Sequence, residues 1–522
     1  MGCFGLLVNA TTSACVNLTG IESGGGDDLL DYDVVSVSLE KEPFDLSNAL
    51  ISTIAGCSSG LETPVSMRLL LSIDTAVFSI ASMFHSNDVA LDIFGDKNTS
   101  DARRRCQPTT PQETSLFDLH LRVAVMYAFV YGGTLGMPYC VDLVDPLMSD
   151  AGHPLSLVLE GDPSVETPWG LAKAYVDEIA DFLTANDGWN ADGSKSQDYN
   201  RTPFSDYSIT DSAGNSWTPY SPVFACRIFQ TLSDDRWQPL IESDDLGFIF
   251  TQTHVTPHIG VTARFFGFRS AEDEEAFAIR ELTAPSYRYS TAAQEVLDES
   301  VDTAGDDYKQ AAIDFFDNKF LSLVPLKIEL FTRASSSQLS TLDFYRATVE
   351  VQLAIYNGIV LSWREKVRND LPRPTTVVIT ELGDTLVEAY AGEDEGVKIM
   401  KASEWEPFMR TMPHSEYPSA SACVCQVYAE QMATFLGTDE IDPALEFGPF
   451  EFSSWSEISE VCGDSRVWGG LHFPEAVPGG VELCGGNLLA ESITTSIGDL
   501  IEGDESAAVF DKDIGELMLR PL

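Results

Sequence analysis

Leu342, Tyr345, Val349, Leu353, Tyr356, Ile359, Val360 and Trp363 recur at three- and four-residue intervals and lie on one face of a single long helix over residues 341–367. An apolar face of that length must be covered by other helices, so this stretch constrains the fold more than any other. A second helical pattern begins at Pro64, with Met67, Leu70, Leu71, Ile73, Ala76, Val77 and Ile80 in phase. Further helices are predicted at 115–131, 168–185, 273–281 and 307–320. Strand-like runs are few and short, Thr375 to Ile379 being the best. Long loops rich in Asp, Ser, Gly and Pro fill 186–222, and no tandem repeat is present. The expected architecture is all-α.

Charge narrows the range of partners. The 522 residues carry 31 Lys and Arg against 81 Asp and Glu, a net charge of −50. Such a surface repels nucleic acid and anionic membranes, and the one basic run, Arg103-Arg104-Arg105, is too short to reverse that. The uncharged stretch Val123 to Val141 contains Gly132, Gly133, Gly136 and Pro138, so it reads as a buried helix and turn, and no membrane span is expected. The ten cysteines include no CxxC pair, which argues against zinc and leaves disulfides open. Asn9, Asn17, Asn98 and Asn200 begin glycosylation sequons. Together these features favour a secreted protein whose leader is not visible; the alternative is a cytoplasmic protein of a salt-adapted cell. Asp187, Asn190 and Asp192 approach a calcium-loop pattern but miss it by one position, as a solvated turn does.

The second half concentrates the chemistry. Lys366 falls in the last turn of the long helix, and Arg373 precedes Pro374, which biases it toward extended backbone. Both side chains can therefore converge on one point. Pro418-Ser419 opens a helix whose apolar face is Cys423, Val424, Val427, Tyr428, Met432, Phe435 and Leu436. Free N–H groups at that start, with the Ser419 hydroxyl, form an oxyanion cradle. Arg466 and His472 follow, separated by a Gly-Gly turn. Taken singly, each of these is an ordinary helix-end charge, cap or histidine. Two arginines and a lysine in one pocket make sense when a multiply charged oxyanion neutralises them.

The ordered set Lys366-x6-Arg373-Pro374, Pro418-Ser419-Ala420-Ser421 and Ser465-Arg466-x5-His472 resembles the signature of the vanadium-dependent haloperoxidases and the related type 2 phosphatidic acid phosphatases. Flanking text, including "TPWGLAKAYVDEIADFLTANDGWN" at 167–190, "RWQPL" at 236–240, "TPHIG" at 256–260 and "GPFEFSSWSEISE" before Ser465, is similar to the haloperoxidase branch. The resemblance implies two helical bundles, over 61–330 and 331–522, after an irregular segment at 1–60. It places the oxyanion site in the C-terminal bundle. It further implies vanadate as cofactor, with His472 as the metal ligand. Lys366, Arg373 and Arg466 neutralise its oxygens, and the Ser419 hydroxyl and Ala420 N–H donate hydrogen bonds to it. Hydrogen peroxide and a halide, bromide or iodide, are the implied substrates, hypohalous acid the product, and a small organic molecule its acceptor. A homo-oligomer is compatible with this reading.

One departure matters. The family's Pro-Ser-Gly-His reads Pro-Ser-Ala-Ser here, and Ser421 cannot perform the proton transfers of the histidine it replaces. His414, four residues before Pro418, either supplies that acid–base function or is a loop histidine contacting Glu416 or solvent. His254 and His258 read as structural, and Asp314 or Asp317 either pairs with the pocket arginines or is solvated. Three readings of function stand together: a haloperoxidase, an acid phosphatase on the same pocket with His472 as nucleophile, or a non-catalytic oxyanion-binding protein.

Overall fold

The computed structural model describes residues 63–85, short segments between 178 and 259, and residues 264–509 except 335–340, 393–394 and 505–507. The segment 1–60, most of the helices at 115–131 and 168–185, the calcium-like turn, the four sequons, His254 and His258 lie outside the described residues.

In chain order the elements are α1 (Thr63–His85), β1 (Ile209–Thr210), β2 (Ser216–Trp217), β3 (Ile241–Ser243), β4 (Ile249–Thr251), α2 (Ala271–Ala278), α3 (Tyr289–Ala304), α4 (Asp307–Phe315) and α5 (Lys319–Ala334). There follow α6 (Thr341–Asn369), α7 (Pro374–Leu382), β5 (Leu386–Tyr390), β6 (Val397–Lys401), α8 (Ala420–Leu436), β7 (Glu440–Phe447), β8 (Phe450–Ser454), α9 (Trp455–Trp468), α10 (Ala476–Cys484) and α11 (Leu488–Glu502). The described strands pair only as antiparallel hairpins, β1–β2, β3–β4, β5–β6 and β7–β8. The fold is all-α with hairpin additions.

The long apolar helix is α6, and its face is covered as its length demands. It packs against α1 on one side and α8 on the other, and α8 in turn contacts α9, α10 and α11. Leu353, Tyr356, Ile359, Val360 and Trp363 of α6 are buried in one core with Leu71 and Phe78 of α1 and Val424, Val427 and Tyr428 of α8. Among the described residues no helix is long and apolar enough to cross a membrane.

Two sequence expectations fail locally. Thr375 to Ile379 is not a strand but the body of α7. Pro374 at its first position supplies a helical φ and needs no N–H partner, and Val377 and Val378 are buried against Val296 and Leu297 of α3. Tertiary packing thus overrides the β preference of this Val-rich run. The single helix expected at 307–320 is two, because α4 ends at Phe315 and α5 starts at Lys319. That break brings Lys319 to the site described below.

The start of α8 is fixed by close approach and by covalent links. Cys423 and Cys425, in its first turns, form disulfides with Cys484 of α10 and Cys462 of α9. Ser419 N donates to Ala476 O at 2.9 Å. Gly480 lets α10 reach this point, since a Cβ there would lie 2.3 Å from Ser419 O and 3.1 Å from Cys423 N. Gly480→Ala is therefore expected to push α10 away from the start of α8 and to destabilise the protein by about 1–3 kcal/mol, as overpacking does. A thermal melt against wild type checks this, and an unchanged midpoint would show that the contact is slack.

Candidate oxyanion site

Three segments meet at the C-terminal end of α6. Lys366 Nζ donates to the carbonyls of Ser415, Glu416 and Pro418 at 2.9, 2.9 and 2.5 Å, and Ser415 Oγ returns a bond of 2.6 Å to Lys366 O. The fully buried ammonium thus shapes the loop that leads into α8. Its three protons are spent on that loop, so it stands behind the site and not on its surface. Burial, and then the nearby Arg373, hold its pKa well below the usual lysine value.

Arg373 is extended, at φ −73° and ψ 154°, as the following proline requires. From there its guanidinium crosses to the other two segments. Nε donates to His414 O at 2.7 Å, Nη1 to Leu471 O at 2.8 Å and to His472 Nε2 at 3.1 Å, and Nη2 to His414 Nδ1 at 2.8 Å. An arginine only donates, so both ring nitrogens must accept. This fixes the tautomers: His414 has its lone pair on Nδ1, and His472 has its lone pair on Nε2 and its proton on Nδ1. Trp363 packs on the His414 ring at a centroid distance of 4.9 Å.

The proton on His472 Nδ1 has a dedicated acceptor. Glu416 Oε1 lies 2.9 Å from it and also accepts from Phe473 N at 3.1 Å, while Tyr287 OH donates to Oε2 at 3.4 Å. Glu416 is completely buried. Burial raises its carboxyl to about 7 despite the opposing pull of Lys366 and Arg373. Burial first, then Arg373 and Lys366, pushes His472 well below the ordinary histidine value, so it is a neutral imidazole. A carboxylate–imidazole pair of this kind orients a histidine that ligates through its other nitrogen.

Arg466, in the last turn of α9, is 2 % exposed. Its Nε donates to Ser465 Oγ at 3.0 Å and its Nη2 to Ile313 O at 3.1 Å, and Nη1 stands 4.0 Å from Asp317 Oδ1. Burial, offset by Asp317 and Asp314, lowers its pKa to about 10, which leaves it charged at neutral pH. Ser419 caps α8, its hydroxyl accepting from Ala422 N at 3.3 Å. The first two N–H groups of that helix, at Ala420 and Ser421, have no hydrogen-bond partner among the described residues.

A small cavity joins these parts. It is lined by Ala420 and Ser421 from α8, Arg466, Leu471 and His472, His414 and Met412 from the loop, and Ile359 and Trp363 from α6. Thr63, Asp317 and Lys319 close it. The structure therefore sets Arg466, His472, His414, Ala420 and Ser421 on one cavity, with Arg373 bonded to both histidines. Lys366 and the Ser419 hydroxyl hold the backbone just behind. Lys319 has no place in the sequence reading of the site, and Glu416 enters it only as an alternative contact of His414. Glu416 stands within the "HSEYPSAS" stretch, but its pairing with His472 spans 56 residues and leaves no local mark.

The donor set suits a tetrahedral oxyanion. Lys319, Lys366, Arg373 and Arg466 are all buried, while the buried carboxylate near them, Glu416, is bonded to His472 and Asp317, 4.0 Å from Arg466, is half-exposed. Excess positive charge at low dielectric, beside two unpartnered N–H groups at a helix N-terminus, calls for a bound anion.

Comparison with known proteins bears on the fold. Residues 346–502 match the family model described as the VCPO second helical-bundle domain. An apo-type bacterial vanadium-dependent chloroperoxidase superposes with a TM-score of 0.66 at 21% identity, over 85% of this chain and 95% of that one. This is the vanadium haloperoxidase fold. The holo-type bacterial chloroperoxidase gives a TM-score of 0.63 at 22% identity, over 85% and 93% of the two chains. A bacterial vanadium-dependent iodoperoxidase gives 0.56 at 17%, over 88% and 97%. No curated protein matches the sequence. The matched residues 346–502 include Lys366, Arg373, the Pro418–Ser421 turn, Arg466 and His472.

Proposed function

We propose that this chain is a vanadium-dependent haloperoxidase homologue that oxidises bromide or iodide with hydrogen peroxide to hypohalous acid. The observation that carries the reading is His472 on the cavity, its Nδ1 proton held by Glu416 and its Nε2 lone pair accepting from Arg373, with Arg466 buried on the same cavity. Vanadate, when bound, supplies a Lewis acid that activates peroxide without changing its own oxidation state. His472 Nε2 would be its protein ligand. The N–H groups of Ala420 and Ser421 and the two guanidinium groups would hold its oxygens, and Lys366 would keep the 415–418 loop in shape. Hypohalous acid then passes to a small organic acceptor. The two disulfides of α8 suit an oxidising compartment, and a secreted protein is the localisation proposed with this function.

One observation also suits an acid phosphatase. Glu416 behind His472 is the arrangement that would activate a histidine nucleophile toward a phosphate ester. That route needs a general acid for the leaving alcohol, and Ser421 stands where it is wanted.

The test is reconstitution with orthovanadate followed by bromination of monochlorodimedone, in parallel with phosphate-ester hydrolysis by the metal-free protein. Vanadate-dependent bromination is the expected result. Hydrolysis inhibited by vanadate would select the phosphatase, and vanadate uptake with neither activity would leave an oxyanion-binding protein.

A further inference from the structure

The family motif leaves Lys319 out, yet this residue lines the same cavity as Ser421, Arg466 and His472. It opens α5 immediately after the break that separates that helix from α4. Only 4 % of it is exposed, and among the described residues its Nζ donates to a single carbonyl, that of Phe316. The rest of its hydrogen-bonding capacity is left to the cavity.

Its charged surroundings are unusual for a lysine. Arg466 of α9 is the cation closest to it electrostatically, and the balancing acid, Asp317, is half-exposed. Asp314 of α4 acts on Arg466, while His414 and His472 stand on the cavity rim. On the far side, Lys319 and Lys327 line an adjoining cavity, where Asp74 of α1 offsets Lys327. Two cations thus share a buried space with one half-solvated acid. Such a pair is relieved when an anion enters or when one member loses its proton. The Arg466 guanidinium keeps its proton at neutral pH, so the burden falls on the amine. Burial, and then Arg466, hold Lys319 well below the ordinary lysine value.

We propose that Lys319 is the proton-exchanging group of this cavity, taking the place of the histidine that Ser421 replaces. This rests on the reading of the cavity as an oxyanion site. On this proposal the crowding of Lys319 by Arg466 is relieved when an oxyanion enters, and the Lys319 amine then accepts one proton from solvent, forming an ammonium that bonds to the anion. The same proton can be passed onward when an oxygen on the bound anion needs it.

Tungstate is the probe of choice, since it is a tetrahedral dianion that carries no proton of its own at pH 8. Titration calorimetry of the full chain in two buffers of different ionisation enthalpy gives the number of protons taken up per tungstate bound. Wild type is expected to take up about one proton more than either Lys319→Met or Lys319→Arg. Lys319→Arg keeps a positive charge and cannot exchange it, so the comparison does not depend on the methionine variant alone. Lys319→Met should also weaken tungstate roughly tenfold to a hundredfold through loss of a charge-assisted hydrogen bond. Equal proton uptake by wild type and both variants would overturn the role of Lys319 while leaving the oxyanion site intact. Wild-type protein that binds neither tungstate nor vanadate would overturn the oxyanion reading itself, and the inference with it.

Discussion

Replacing His472 by alanine is expected to abolish tight vanadate binding and to leave the fold in place. The imidazole is buried, lines the cavity and spans the gap between Glu416 Oε1 at 2.9 Å and Arg373 Nη1 at 3.1 Å, and among the described residues it is the cavity histidine backed by a buried carboxylate. Loss of a partner that merely orients a metal-bound histidine costs about ten- to a hundredfold in affinity, so loss of the ligand itself should exceed about a hundredfold. The neighbours survive the change. Glu416 Oε1 keeps Phe473 N at 3.1 Å, and Arg373 keeps its bonds to Leu471 O and His414. Equilibrium dialysis with vanadate, alongside a thermal melt, separates the two effects. Vanadate bound as tightly by His472→Ala as by wild type would end the assignment of His472 as ligand, and a collapsed melt would show a structural role in its place.

What the sequence carried, and what it did not, follows from the range of each interaction. The apolar face of α6 is periodic within one element, and it packs as its period requires. Ser419 as the cap of α8 and the extended Arg373 before Pro374 are likewise local consequences of residue type. The run from Thr375 to Ile379 misled because Val and Ile read as strand. Pro374 at the first helical position and the contact with α3, some 80 residues away in sequence, decide otherwise. Convergence of Arg373, Arg466 and His472 was legible only through the ordered motif. The motif carried no sign that the three protons of Lys366 go to loop carbonyls. Glu416 and Lys319 left still less trace. A buried acid that pairs across 56 residues, and a lysine delivered by an unpredicted helix break, are properties of the packed chain alone.

Glu416→Gln tests whether that buried acid serves the site, and it should weaken vanadate binding about tenfold to a hundredfold while changing how stability depends on pH. A glutamine amide can still accept the His472 Nδ1 proton in the same place, but as a neutral group it no longer makes the imidazole a stronger donor of its Nε2 lone pair. The stability effect has a definite sign. Burial raises Glu416 from 4.5 to about 7, so the fold favours the protonated acid more than the unfolded chain does. The contribution of that group is fully present below about 4.5 and is lost as pH rises through about 7. Glutamine does not titrate and imitates the protonated form. The melting temperature of Glu416→Gln should therefore rise relative to wild type as pH is taken from 5 to about 8. A difference in melting temperature that stays flat across this range would mean that Glu416 ionises normally in the fold. Unchanged vanadate affinity would mean that His472 is held by Arg373 and its backbone without help from the carboxylate.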